Sequence, residues 1–311
     1  MLEMMDKYFD SIDANTNRDI LANKNKYERL LNSTTACHSE QLLTLVALYG
    51  IFQDQKENNV QEINNLLKNV FSARNISHSP EFKNIEKVSV EVSLSENITY
   101  RKWLLEKFKI DPFHFYNDCK EIIKKKVSNK NASFEGNTNV DAIIKGVDQD
   151  DTPIYIFLEA KYLSDIASGI TYFPIRNQIA RTIDCSIEWL KNKKLGINNF
   201  WFLLLTPEIF RTKEYNKGNR DSNKTVFDNC ESDRSKLYCY KMNDYLQYEL
   251  LKKDLPHREE LTDDEWKSIT KRIGWLTYEE IVKKLLDKQL LEEEFETQFK
   301  DFMNIHGFLR I

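Results

Sequence analysis

Glycine and proline are scarce, at 8 and 6 of 311 residues. That scarcity excludes collagen-like, elastic and linker-dominated chains. No run of about 18 apolar residues occurs, so no membrane-spanning helix is expected. The opening residues, MLEMMDKYFD, show no basic start followed by an apolar stretch, and no secretory signal is expected. The net charge of −4, from 45 Lys+Arg against 49 Asp+Glu, excludes a polycation that coats nucleic acid by bulk charge. It leaves room for a local basic groove or for carboxylates that hold a metal. The five cysteines (Cys37, Cys119, Cys185, Cys230, Cys239) are odd in number and form no C-x-x-C pair. A disulfide framework or zinc ribbon is not expected, and reduced thiols imply a cytoplasmic chain. There is no G-x-x-x-x-G-K-[ST], no G-x-S-x-G and no G-x-G-x-x-G, which removes the P-loop, the hydrolase elbow and the dinucleotide fingerprint.

What is present is enough apolar surface for a sizeable core, at 41% of residues, with 30% charged. The length allows one large domain or two modest ones. Residues 1–75 read as helices: Ser39–Phe52 is apolar on most faces, and Val60, Ile63, Leu66, Leu67 and Val70 recur at helical spacing. Val88, Val90, Val92 and Leu94 alternate with polar residues, as in a strand with one wet face. Helical patterns follow at Thr99–Phe108 and after Pro112, the second ending in Lys124-Lys125-Lys126, where cations suit the helix dipole.

Val140–Val147 and Ile154–Leu158 read as two short strands joined by a hairpin-type turn. A helix from about Pro174 to Lys191 and a fully buried strand, Asn199–Thr206, come next. Residues 208–236 form a polar insertion of both charge signs. Thr262 with Glu265, and Thr277 with Glu280, are capping boxes that each open a helix. Three regions are therefore expected: helical at 1–75, an α/β core at 76–255, and helical again at 256–311.

Three stretches carry chemistry: Glu135–Asp141, Phe157–Lys161 and Arg176–Arg181. Residues two apart in a strand share a face, about 6–7 Å apart, so Glu159 and Lys161 project together from the end of an apolar strand. If the two strands form a hairpin, Asp141 lies beside Glu159. Two carboxylates and the Ala160 backbone carbonyl then make an oxygen set of the kind Mg²⁺ prefers. A lysine beside them can orient a hydroxide or stabilise charge on a phosphoryl transition state.

E-x-K by itself is common here. Glu81-Phe82-Lys83 and Glu265-Trp266-Lys267 also match it, but Glu265 is explained as a cap and Glu81 lies beside Pro80. Only Glu159-Ala160-Lys161 follows an apolar strand, with an acidic residue on the adjoining strand and a helix after it.

Asp141, then Glu159-Ala160-Lys161, then a helix bearing Arg176-Asn177-Gln178-x-Ala180-Arg181 together resemble the PD-(D/E)XK nuclease superfamily. The resemblance covers roughly residues 110–206, and Val140 stands where the family has proline. It implies an α/β fold with a restriction-endonuclease-like mixed β-sheet flanked by helices. By it, Asp141 and Glu159 would hold metal, Lys161 would be the catalytic lysine, and Gln178 a polar residue near the metal or scissile phosphate. Glu135, or Glu121 on the preceding helix, would match an extra acidic position. Arg176, Arg181, Lys124 and Lys125 are candidate phosphate contacts.

The expectation is a Mg²⁺-dependent endonuclease, Mn²⁺ substituting, acting on double-stranded DNA in restriction or phage defence. A homodimer or partner subunits would accompany it. Two alternatives stay open: a catalytically silent nuclease fold that binds DNA or joins a complex, and a nuclease directed at RNA.

Overall fold

A computed structural model describes residues 40–52, 57–94, 97–110, 138–162, 164–167, 176–211, 236–288, 291 and 293–305. Among the described residues two helices come first, α1 (Glu40–Phe52) and α2 (Glu57–Ser72). Strand β1 (Asn84–Leu94) leads to helix α3 (Ile98–Ile110), and then to β2 (Thr138–Val147) and β3 (Pro153–Ala160). Helix α4 (Gln178–Asn192) crosses to β4 (Phe200–Thr206). Short helices α5 (Leu237–Asp244), α6 (Tyr248–Asp254) and α7 (Asp263–Thr270) cross to β5 (Ile273–Thr277). Helices α8 (Tyr278–Asp287) and α9 (Glu293–Ile305) follow.

The strands form one mixed sheet in the order β1-β2-β3-β4-β5. The first three run antiparallel, while β4 joins β3, and β5 joins β4, in parallel. The β2–β3 turn is built by Asp148, whose side chain accepts from the backbone N–H groups of Asp150 and Thr152 at 3.0 and 2.8 Å. Asp151 takes the left-handed conformation there (φ 58°), which a short polar side chain tolerates. The helical crossovers are what parallel pairing requires. Nearly every residue of β3 and β4 is buried, which explains their continuous apolar runs: helices cover both faces.

One face of the sheet packs on α1, α2, α8 and α9 through Val88, Ala142, Ile144, Ile156, Leu158 and Leu203. The other packs on α4 to α7 through Ile143, Phe157, Phe202, Leu204 and Trp275. The helices that precede and follow the strands share a core with the sheet. Residues Leu43 to Phe52 and Phe295 to Met303 sit in the same cluster as the central strands. The C-terminal segment holds a strand, β5, as well as helices. Both capping boxes form as expected, at Thr262 and Thr277.

Candidate active site

The two antiparallel strands β1 and β2 change face at one point. Val88 and Val90 pack on the α1 side, yet Val92 and Leu94, of the same parity, pack with the α4 side. Their partners do the same: Ala142 lies on the first side and Val140 on the second. Strict alternation would keep each set on one face. The residues between are Glu91, with φ 52°, and Asp141 opposite it. The sheet thus turns over at a pair of carboxylates.

Beyond Ala142 and Leu158 the β2–β3 ladder stops. The Asp141 carboxylate continues it, accepting from the backbone N–H of Ala160 at 2.6 Å. A strand residue's N–H and C=O point the same way, so the Ala160 carbonyl is directed to this side too. On the opposite edge Lys161 N–H donates to the Leu205 carbonyl at 2.8 Å, keeping the strand end registered on β4.

Glu159 and Lys161 are no surface pair: they are 3% and 8% exposed. The Lys161 Nζ lies 3.0 Å from Glu159 Oε1 and 3.4 Å from Glu40 Oε1. Gln178 Nε2 donates to Glu159 Oε1 at 2.5 Å, and Thr182 Oγ1 donates to Glu159 Oε2 at 3.3 Å. Gln178 and Thr182 are four apart on α4, so they share a face. The cluster lies at the carboxyl end of β3, beside a parallel neighbour, where open α/β sheets place ligands.

Burial, and then the neighbouring Glu159, pushes the Asp141 carboxyl well above its ordinary range. Burial likewise raises Glu159, against the pull of Lys161. Burial by itself would lower Lys161. The carboxylates of Glu159, Glu40 and Asp141 overcome it and push the ammonium upward, so Lys161 is charged.

The segment ahead of α4 is clamped by two buried networks. Asn177 caps the helix, accepting from Ala180 N–H at 3.1 Å, and its amide donates to Tyr245 Oη at 2.6 Å and Asp254 Oδ2 at 3.0 Å. Arg176 is 1% exposed, ion-paired with Asp184 and stacked 3.7 Å over the Tyr100 ring. Its guanidinium is thus engaged inside the fold, against Asp184 and Tyr100. The R-N-Q run therefore divides its labour: two buried anchors and one group, Gln178, turned to Glu159.

The structure brings Asp141, Glu159, Lys161 and Gln178 together. Arg181 is half-buried on α4. Glu135, Glu121, Lys124 and Lys125 lie outside the described residues, as does residue range 212–235 of the polar insertion. Of that insertion's cations, Arg211 is paired with Glu280 at 2.7 Å.

Sequence reasoning missed Glu40, Glu91 and Thr182. Thr182 had a signal, its one-turn spacing from Gln178. Glu91 read as a plain wet-face residue, and nothing local marked Glu40.

Comparison with protein-family models, with curated proteins and with solved structures returns no match, so the geometry above carries the functional assignment alone.

Proposed function

We propose that this chain is a metal-dependent DNA endonuclease of the PD-(D/E)XK class, built on a restriction-endonuclease-like version of its α/β fold. One observation carries the proposal. Two carboxylates, Asp141 and Glu159, and the ammonium of Lys161 gather at the carboxyl end of β3, and the last two are buried against each other.

The donor set fits a small hard cation, because it offers carboxylate and carbonyl oxygens alone. Burial and mutual proximity also leave Asp141 and Glu159 repelling each other, which a cation relieves. Asp141, Glu159 and the Ala160 carbonyl would hold Mg²⁺, or Mn²⁺ in its place, and the bound ion supplies Lewis-acid stabilisation of phosphoryl charge and a more acidic water.

The chain's own groups do the rest. Lys161 presents a fixed positive charge where a phosphodiester oxygen would gain negative charge during attack. Gln178 and Thr182 hold both oxygens of Glu159, so the carboxylate keeps one orientation when a substrate arrives. Ala160 N–H does the same for Asp141. Duplex DNA in restriction or phage defence is the substrate class, and cutting both strands favours a homodimer.

A second reading has its own support. Among the described residues, no three acidic, histidine or cysteine side chains converge closely enough to cage an ion. A catalytically silent module that binds DNA or a partner subunit would need no such convergence.

Supercoiled plasmid and an RNA of similar length, incubated with the protein in Mg²⁺ or Mn²⁺, separate these outcomes. Plasmid cleavage that EDTA and Lys161→Ala both abolish is expected. Cleavage of RNA alone moves the substrate class, and retention of DNA without cleavage in either metal favours the silent module.

A further inference from the structure

Glu40 lies far from the nuclease-like segment in sequence and opens α1. An acidic residue in a first turn is worth about 0.3–1 kcal/mol against the helix dipole, and solvent exposure would serve that purpose. Its carboxylate is instead drawn onto the exit of β3. Glu40 Oε2 accepts from the backbone N–H of Tyr162 at 2.7 Å and from Ser164 Oγ at 2.6 Å. Glu40 Oε1 faces the Lys161 ammonium at 3.4 Å. Three donors within four consecutive residues thus converge on one side chain.

The backbone of Glu40 is tied as well. Thr44 Oγ1 donates to the Glu40 carbonyl at 2.8 Å and meets Tyr278 Oη at 3.1 Å. The Tyr278 ring in turn meets the Tyr162 ring edge-on, with centroids 6.4 Å apart. The contacts close a circuit: Glu40 to Tyr162, Tyr162 to Tyr278, Tyr278 to Thr44, and Thr44 back to Glu40. Tyr278 and Thr44 are buried, so the circuit has a rigid floor.

Lys161 is the member of the site with the longest and loosest side chain. In strand geometry alone its ammonium could lie against Glu159 only. A second carboxylate, Glu40, fixed by two further hydrogen bonds, adds a second anchor for the ammonium.

We propose that Glu40 is a positioning residue, which holds the Lys161 ammonium and the strand exit at Lys161, Tyr162 and Ser164 in the geometry the site requires. The inference rests on the nuclease reading for its consequence, since a misplaced charge matters only if chemistry occurs there. It assigns a site function to α1, a helix outside the segment that resembles a nuclease.

Glu40→Gln is the informative substitution. The glutamine oxygen can still accept from Tyr162 N–H and Ser164 Oγ, so the strand exit stays anchored, while the charge facing Lys161 is gone. Two readouts keep the two proposals apart. The first is an NMR spectrum of metal-free protein carrying isotope-labelled lysine, with the Lys161 ammonium signal assigned by its loss in Lys161→Arg. An ordered ammonium gives a signal protected from exchange. It should be present in the wild type, weakened or shifted in Glu40→Gln, and unchanged in Glu296→Gln, which removes an exposed pair with Lys300.

The second readout is plasmid cleavage. Glu40→Gln should lower kcat by about tenfold with KM held within about twofold, as expected for misplacement of a reacting group and not for lost binding. A Lys161 signal that is unprotected in the wild type, or identical in Glu40→Gln, overturns the positioning role whatever the cleavage result. A wild type that cuts nothing sinks the nuclease reading alone, and the spectrum still decides Glu40.

Discussion

The carboxylate of Asp141 stands in for a strand. Where the β2–β3 ladder ends, its Oδ2 takes the Ala160 N–H at 2.6 Å that a further ladder bond would have used. The residue therefore has a structural duty and a chemical one. The backbone bond fixes it beside Glu159, and burial, together with that neighbour, pushes its carboxyl upward. These two duties respond differently to substitution.

Asp141→Asn keeps an oxygen for Ala160 N–H and removes a half-buried carboxyl set beside Glu159. If Asp141 holds metal as proposed, its loss costs several kcal/mol of transition-state stabilisation, and plasmid cleavage should fall by at least about a hundredfold. The melting temperature should be unchanged or higher by about 2 °C, because active-site repulsion costs stability. Calorimetry and cleavage on one preparation check both halves. A clear drop in melting temperature would show that the charge holds the fold and not the site.

Thr182 touches the site through one hydroxyl. Thr182→Val keeps the shape and deletes the 3.3 Å bond to Glu159 Oε2, leaving Gln178 to orient the carboxylate. A net hydrogen bond is worth about 1 kcal/mol, so single-turnover cleavage should slow by about fivefold. Gln178→Ala should cost more, since it removes the 2.5 Å contact. Equal rates for Thr182→Val and the wild type would leave the threonine as helix packing only.

The site was legible in sequence to the extent that it is local. Asp141, Glu159 and Lys161 lie on adjacent strands of a hairpin, and strand periodicity alone puts Glu159 and Lys161 on one face. Gln178 was found through the helix that follows. Glu40 was not, because it is 121 residues from Lys161 and no periodicity reports which helix end meets which strand end. Glu91 was hidden by its own pattern: alternation predicts a wet-face residue, and the reversal of pleat between Val90 and Val92 is a tertiary event. Nor was the internal pair of Arg176 with Asp184 marked in the sequence, since eight residues separate them and the pairing is set by tertiary packing.

Strand β5 was missed because it is five residues long and contains Gly274 between two helices with clear caps. The glycine is there for proximity. A Cβ at Gly274 would meet Leu203 Cδ2 at 2.5 Å and Phe71 Cζ at 2.9 Å. Gly146 is tighter in kind, since a Cβ would run into the backbone oxygen of Asn84. Side-chain tips can yield where a paired strand cannot. Gly274→Ala should cost about 1–3 kcal/mol by overpacking, and Gly146→Ala more. Urea unfolding of the two variants checks the order, and the reverse ranking would mean that the β1 edge is softer than the β4–β5 core.

The largest effect on stability belongs to Asp184, which is fully buried on α4. It accepts from Asn97 Nδ2 at 2.8 Å and Arg258 Nε at 2.6 Å, pairs with Arg176, and lies 2.9 Å from His257 Nε2. Burial on its own would raise its carboxyl. Arg258, His257 and Arg176 overcome that and hold it well below the usual carboxylate range. A carboxylate with a depressed folded-state pKa contributes stability that is present above its unfolded value, about 4, and lost as pH falls below it. The wild type should therefore lose stability progressively under about pH 4. Asp184→Asn removes the carboxylate that Arg176 and Arg258 share, leaving Arg258 its pairs with Glu188 and Glu260, and should lose about 3 kcal/mol at neutral pH. Because its acid-sensitive group is gone, the variant's stability should also fall less steeply with acid. Urea midpoints for both proteins from pH 3 to pH 7, buffered at about constant ionic strength, measure the two slopes. Parallel slopes would remove Asp184 as the source of acid sensitivity.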